Sequence, residues 1–537
     1  MCGRGADDTE FLDGKLDPAA DRPVGSCHLA ALLRHARWSH PAVVYALLAA
    51  VLAVVFIPMS LLRFVDADEG TYLLVSRLVS EGQLPYHDVF YPQMYLLPYV
   101  YGVWMKILGY SWYTARLLSA AFCIALGLLI GRQVAVLTGE RGWGLVAGTL
   151  FALSSSAFAW YPLVKAYAFG TLLIFAAYTV VSTRWRWRWV ACGLLLGAAA
   201  ACRVYLAGVL AAFVFELFRT EDDRRSRLMQ LGGLAVGFAV PLLPGAVLYL
   251  VGPETFMFNV VGNQVIREQA VPTGAAVAWW DDKTTYVRML LGLQRGDPAT
   301  LRQMLVLMVV CVVALVSCVR ARQRVPLASL IAIALFAVSH VPTPVYPQYF
   351  CMLTPFLLVD ATVFVARLVR ESTTPHLRHI AVVALAAYVV VVPLEFYRYT
   401  VTAEVIEGYD STTDWKVSTV RAVGRSIDRH VRGDHPVAVS FWPGYFVETR
   451  AAILPGLENH FSLHFADGIT RDEVAQFRLI SAGQLLAQLR GRRVDVVALG
   501  IRTPNRGALR SELLNSGFVV KETVASTEIF ALSPAAR

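Results

Sequence analysis

Three carboxylates, Asp66, Asp68 and Glu69, stand within four residues, just after a long uncharged apolar segment. Carboxylates so placed can do three things. One can take a proton from a weak nucleophile, provided it is well positioned. A pair spaced like Asp66 and Asp68 can hold a divalent cation, Mg2+ or Mn2+, against a phosphate. One can also cap a helix and favour its dipole. A single cap does not require its neighbours, so the cluster points to chemistry.

The elements that must position these acids are written in the composition. The chain has 537 residues, 56% hydrophobic and only 16% charged, with a mean hydropathy of +0.53. So much apolar surface calls for a bilayer. The net charge of +9 comes from 48 basic against 39 acidic residues. The basic residues lie in short clusters between apolar runs, a mark of topology rather than of a nucleic-acid-binding face. Eight scattered cysteines include no CxxC, and none lies beyond residue 400, so the C-terminal region has no disulfide.

Apolar segments fall at 42–62, 114–137, 143–161, 166–183, 189–202, 204–218, 228–251, 302–319, 325–341, 350–369 and 379–397. The two around Arg203 are short for spans and suit a tight or bent pair with that arginine at the tip. Alternate loops carry the arginines, among them Arg184, Arg186 and Arg188, then Arg224, Arg225 and Arg227, then Arg320, Arg322 and Arg324. The bias predicts a polytopic α-helical membrane protein of about 11 spans. Residues 1–40 are then cytoplasmic, 41–398 form the membrane domain, and 399–537 form an extracytoplasmic α/β domain. In that tail 436–442 and 494–500 read as buried strands, and 517–533 as a closing hairpin. Asp414 and Thr470 are candidate helix caps. His460, His464 and Asp467 lack the spacing of a metal site, so the tail's expected work is acceptor recognition or covering the site.

The first outer loop, 63–113, reads as two amphipathic helices on the membrane surface, the first from Asp68 to Glu81. The turn between them carries His87 and Asp88. Gly82 ends the first helix and Pro85 blocks its continuation. This loop resembles that of the multispanning GT-C glycosyltransferases, and more narrowly their protein O-mannosyltransferase and aminoarabinose-transferase branch. The resemblance rests on Asp-Glu-Gly-x-Tyr (Asp68 to Tyr72), Gly-x-x-Pro-Tyr-x-Asp (Gly82 to Asp88), Pro92 before an aromatic helix, and Arg116 opening the next span.

The resemblance implies a GT-C fold and an inverting transfer of a sugar from a polyprenyl-phosphate carrier. The acceptor is a protein, lipid or glycan on the outer face of a membrane, expected to be the bacterial plasma membrane. It implies that Asp68 acts on the acceptor. Relatives carry a second acid after the third span, where this chain reads "AWYPLVKAYAFG"; any second carboxylate must then be Glu69 or Asp88. A lipid-phosphate leaving group needs cationic or hydrogen-bonding partners. Candidates are Arg116, Lys165, Arg203, Arg267 and His340, joined by Asp66, Tyr72, His87, Asp88 and Tyr349 around the substrates. Asp66 and Asp68 are the ligands if a cation binds. A secondary transporter is the rival reading, for which Asp360 and Arg203 would meet at mid-membrane. A noncatalytic protein that binds lipid-linked sugar is another.

Overall fold

A computed structural model describes residues 40–269, 275–294, 298–371, 383–384, 386–402 and 412–533; of 267–269, 275–279 and 298–299 only the backbone is described. Among the described residues, five helices are long and apolar enough to cross a membrane: Pro41–Leu62, Trp112–Thr138, Arg224–Val251, Thr300–Arg320 and Pro347–Glu371. Shorter apolar helices stand among them, including Ala166–Val181, Arg188–Cys202 and Leu327–Val338. The expected segment 143–161 is two helices, Arg141–Ala152 and Ser155–Trp160. The expected segment 204–218 is a 3-10 turn, Val204–Val209, running into the helix Leu210–Thr220. Arg203 sits at the break before it, as expected of a tip residue. Part of 379–397 lies outside the described residues.

Small residues let these helices approach backbone to backbone, as membrane helices do where no apolar driving force separates helix from lipid. A Cβ on Gly197 would strike the carbonyl of Phe238, so the helices Arg188–Cys202 and Arg224–Ala239 touch through main chain.

The loop after Pro41–Leu62 forms the helices Glu69–Ser80 and Leu96–Leu108. The first helix is covered on more than its apolar face: Glu69 through Ser76 and Val79 are all buried. One side meets Leu96–Leu108, where a Cβ on Gly102 would sit 2.5 Å from the Ser76 carbonyl oxygen. Another meets the C-terminal domain, where a Cβ on Gly70 would sit 2.6 Å from Gly444 Cα. Sequence periodicity marks the apolar face but does not reveal a second layer recruited from the far end of the chain.

That layer is a five-stranded sheet: β1 (Val437–Ser440), β2 (Ala452–Ile453), β3 (Val496–Leu499), β4 (Phe518–Val524) and β5 (Thr527–Leu532), in the order β2-β1-β3-β5-β4. β1 is parallel to β2 and β3; β5 is antiparallel to β3 and β4. The expected strands and closing hairpin are therefore present. Thr470 caps the helix Arg471–Gln476 through a reciprocal capping box with Glu473. Asp414 is not a cap: the helix Val417–His430 starts after Lys416, and Asp414 instead accepts from the Ser526 backbone and hydroxyl at 3.0 and 2.6 Å. The carboxyl ends of β1, β2 and β3 all lead toward the first loop. Trp442, just past β1, donates its indole N–H to the Ala67 carbonyl at 2.8 Å.

Candidate active site

The acid cluster splits into two jobs. Glu69 opens its helix and is fully buried. Arg116 grips it in a two-pronged pair, Nε to Oε1 at 2.8 Å and Nη2 to Oε2 at 2.6 Å. The same guanidinium donates to the Arg63 carbonyl at 2.7 Å. The Val164 and Asp66 backbone N–H groups also donate to Glu69, at 3.0 and 3.3 Å. Burial opposes the charge on Glu69, but Arg116 holds its carboxyl below the usual range. Every oxygen of Glu69 is thus committed. The pair ties the first loop to the turn at Val164 and does not line the cavity beside it.

Asp66 and Asp68 do line that cavity, which holds about 520 Å³. Lys165, only 1% exposed, lies 2.6 Å from Asp66 Oδ1 and 3.2 Å from Asp68 Oδ2. Asp66 Oδ1 also accepts from the Asp68 backbone N–H at 3.0 Å, which shapes the loop. The Asp68 side chain keeps 38% of its surface open. Burial opposes its charge, but Lys165 first, then His460 and Arg203, hold the carboxyl well below the ordinary carboxylate range. Lys165 is held above its ordinary value by Asp66 and Asp68 against the cost of burial.

Across the cavity stands Arg203. It is 5% exposed, and among the described residues no carboxylate pairs with it. Tyrosines enclose it instead: the ring centroids of Tyr167, Tyr349 and Tyr205 lie 4.9, 5.5 and 5.8 Å from its guanidinium carbon. It donates to the Tyr205 and Tyr72 hydroxyls at 3.2 and 3.4 Å. A buried cation with only neutral partners is suited to receive an anion. The helix Ala275–Leu290 completes a wall with Asp282, Thr285 and Tyr286, and the "YPQYF" stretch from Tyr346 to Phe350 adds Tyr346 and Tyr349. Asp282 accepts from the Val345 backbone at 2.8 Å, stitching these two stretches together.

With this geometry in view, two solved structures match nearly the whole chain. ArnT from Cupriavidus metallidurans bound to undecaprenyl phosphate aligns with a TM-score of 0.66 at 13% identity, covering 93% of this chain and 99% of that one. The same protein in the apo state aligns at 0.62 and 14% identity, covering 91% and 98%. The chain has the ArnT fold. No family profile and no curated protein matches its sequence. The expected likeness to the aminoarabinose-transferase branch is therefore borne out at the level of fold.

Within this fold the expected site residues divide. Asp66, Asp68, Tyr72, Lys165, Arg203 and Tyr349 share the cavity. Glu69 and Arg116 form the buried pair behind it. His87 and Asp88 pair with each other at 2.8 Å on an exposed turn and do not reach the cavity. Pro85 and Tyr86 fix that turn, Tyr86 with a φ of 73°. His340 does not line the cavity either: it packs on Phe336 and Phe350 and bonds the Phe336 carbonyl at 2.7 Å. The Arg267 side chain lies outside the described residues. Asp360 lines a separate cavity of about 280 Å³ with Ser329 and Arg367, and does not meet Arg203. Among the described residues, no group of three or more His, Cys, Asp and Glu side chains is placed to hold a metal ion.

The cavity also contains residues that the sequence did not mark for catalysis: Asn459, His460, Phe461 and Arg502 of the C-terminal domain. Their only sequence signal is position, since they follow β2 and β3 at the carboxyl ends of parallel strands. In open α/β sheets that is where ligands bind.

Proposed function

We propose that this protein is an integral-membrane glycosyltransferase. It moves a sugar from a polyprenyl phosphate to an acceptor on the extracytoplasmic face of the membrane, with inversion at the anomeric carbon. The observation that carries this reading is the pairing, in one cavity, of an unneutralised buried Arg203 with the Asp68–Lys165 ion pair. The solved ArnT structure holds undecaprenyl phosphate; a carrier of that class would bring its phosphate here.

The acceptor hydroxyl attacks the anomeric carbon, and the bond from that carbon to the phosphate oxygen breaks. The lipid phosphate leaves with the electron pair of that bond, and the acceptor proton passes to Asp68. Arg203 and Lys165 supply the positive charge that the leaving phosphate needs. Asp68 paired to Lys165 is a weak base. A phosphate beside Lys165 and Arg203 competes for their charge and raises the basicity of Asp68 when the acceptor arrives. The Lys165 ammonium sits between Asp66 and Asp68, where a divalent cation would otherwise bridge them, so we assign the electrostatic role to Lys165. The separation of Asp360 from Arg203 supports transfer over transport.

The test is reconstitution with radiolabelled polyprenyl-phosphate sugars. Asp68→Asn lowers kcat by about a hundredfold or more with donor KM little changed. Arg203→Gln raises donor KM by about tenfold or more. Full turnover by a folded Asp68→Asn protein sinks the assignment.

A further inference from the structure

His460 belongs to the C-terminal domain, six residues past the last pairing of β2 with β1 at Leu454. Yet its ring reaches the acid at the start of the chain. Nε2 lies 3.6 Å from Asp68 Oδ1, and Nδ1 lies 3.4 Å from the Thr71 hydroxyl. Only 3% of its side chain is exposed, and it packs on Phe461 with ring centroids 4.1 Å apart. The two oxygens of Asp68 thus face side chains from two different parts of the molecule, Lys165 on Oδ2 and His460 on Oδ1.

We propose that His460 is a positioning residue for Asp68, so that the C-terminal domain completes the reactive centre rather than merely covering it. This rests on the reading of Asp68 as the acceptor's proton acceptor. Nδ1 faces the Thr71 hydroxyl and Nε2 faces the Asp68 carboxylate, so His460 acts through Asp68 from its place in the cavity wall. With the Thr71 hydroxyl donating to Nδ1, the ring proton sits on Nε2, aimed at Asp68. Apo separations of this kind tighten when substrate arrives.

The groups facing Asp68 are Asp66 and Tyr72 from the first loop, Lys165 from the turn before Ala166–Val181, and Arg203 from the break after Cys202. All remain in a His460 variant. His460→Ala in the full-length reconstituted enzyme should lower kcat by about tenfold to a hundredfold, leaving donor KM within about twofold. The acidic limb of its pH profile should move to higher pH. His460→Gln, whose amide nitrogen falls where Nε2 stood, should recover most of the loss. Equal losses in both variants, or wild-type kcat and pH profile in His460→Ala, overturn the proposal.

A second readout does not depend on turnover. Asp68 is labelled with a water-soluble carbodiimide across pH and quantified by mass spectrometry. His460→Ala should raise the pH at which labelling appears, and His460→Gln should restore it. If wild type transfers no sugar but this shift is seen, the glycosyltransferase reading fails while the His460–Asp68 coupling stands. If transfer occurs and no shift is seen, the coupling fails and the reading stands.

Discussion

Asp68 and Glu69 are adjacent in sequence and chemically alike, yet their surroundings set them to different tasks. Glu69 has a guanidinium on both oxygens and no path to substrate; Asp68 has an ammonium on one oxygen and an open face. Lys165 is therefore the residue through which charge in the cavity reaches Asp68. Replacing it by Gln removes the largest influence holding the Asp68 carboxyl down. Because that pKa lies below its ordinary value in the folded protein, the ionised form is complete at neutral pH and is lost only as pH falls. In Lys165→Gln the loss begins at higher pH, so the acidic limb of kcat/KM should move up by a unit or more, with a fall in the plateau of about a hundredfold. An unchanged acidic limb in the pH–rate profile would separate Lys165 from Asp68. The acid cluster and Arg203 were legible in the sequence because a charge beside an apolar run has few bland explanations. His460 was not. It is 389 positions from its partner Thr71; the sequence raises it only beside His464 and Asp467 as a poorly spaced metal group, and nothing near it says what faces it.

At the scale of elements, the decisive contact is helix Glu69–Ser80 against the turn Pro443–Phe446. Gly70 and Gly444 allow the backbones to meet, and Trp442 tucks beneath to reach Ala67. Gly70→Val should force that turn away and loosen His460 from Asp68, lowering kcat by about tenfold and making the 442–446 turn newly sensitive to limited proteolysis. Wild-type proteolysis and kcat together would show that the contact tolerates a side chain.

The loop bearing His460 stores a second vulnerability. Glu458 is buried, and burial pushes its carboxyl up to about 7 from an ordinary 4.5, although the Gly456 N–H donates to it at 2.8 Å. Between those two pH values the folded chain keeps a proton that the unfolded chain has lost. Stability therefore falls as pH rises through that window, and the full penalty stands above about 7. Glu458→Gln keeps the acceptor oxygen and removes the charge. Its thermal midpoint should exceed wild type by a few degrees at pH 8, from a difference on the order of 2 kcal/mol, and the gap should close as pH falls below the unfolded value of 4.5. The strands and closing hairpin of this domain were readable from apolar runs and turn residues. Asp414 was misread as a cap because spacing alone cannot distinguish a carboxylate that starts a helix from one that ties down Ser526 of the closing hairpin.

For the whole molecule, the reaction depends on which side of the membrane the cavity opens to. The helices run between two ends. One end holds Asp68, Lys165, Arg203 and the C-terminal sheet. The other holds the second cavity, lined by Leu137, Arg188, Pro326 and Arg367, alongside the arginine-rich turns. The charge bias in the loops predicts that the arginine-rich end faces the cytoplasm and the acid-bearing end the opposite side. On the proposed function, a lipid-linked donor with its phosphate at Arg203 would present its sugar to an extracytoplasmic acceptor. In a background lacking Cys2, Cys27 and Cys318, single cysteines at the exposed positions His87 and Arg490 should react with an impermeant maleimide on intact cells. A cysteine at exposed Arg186 should react only after the membrane is opened. The reverse pattern would put the carboxylates with the cytoplasmic nucleotide pools, and an extracytoplasmic acceptor could not reach Asp68.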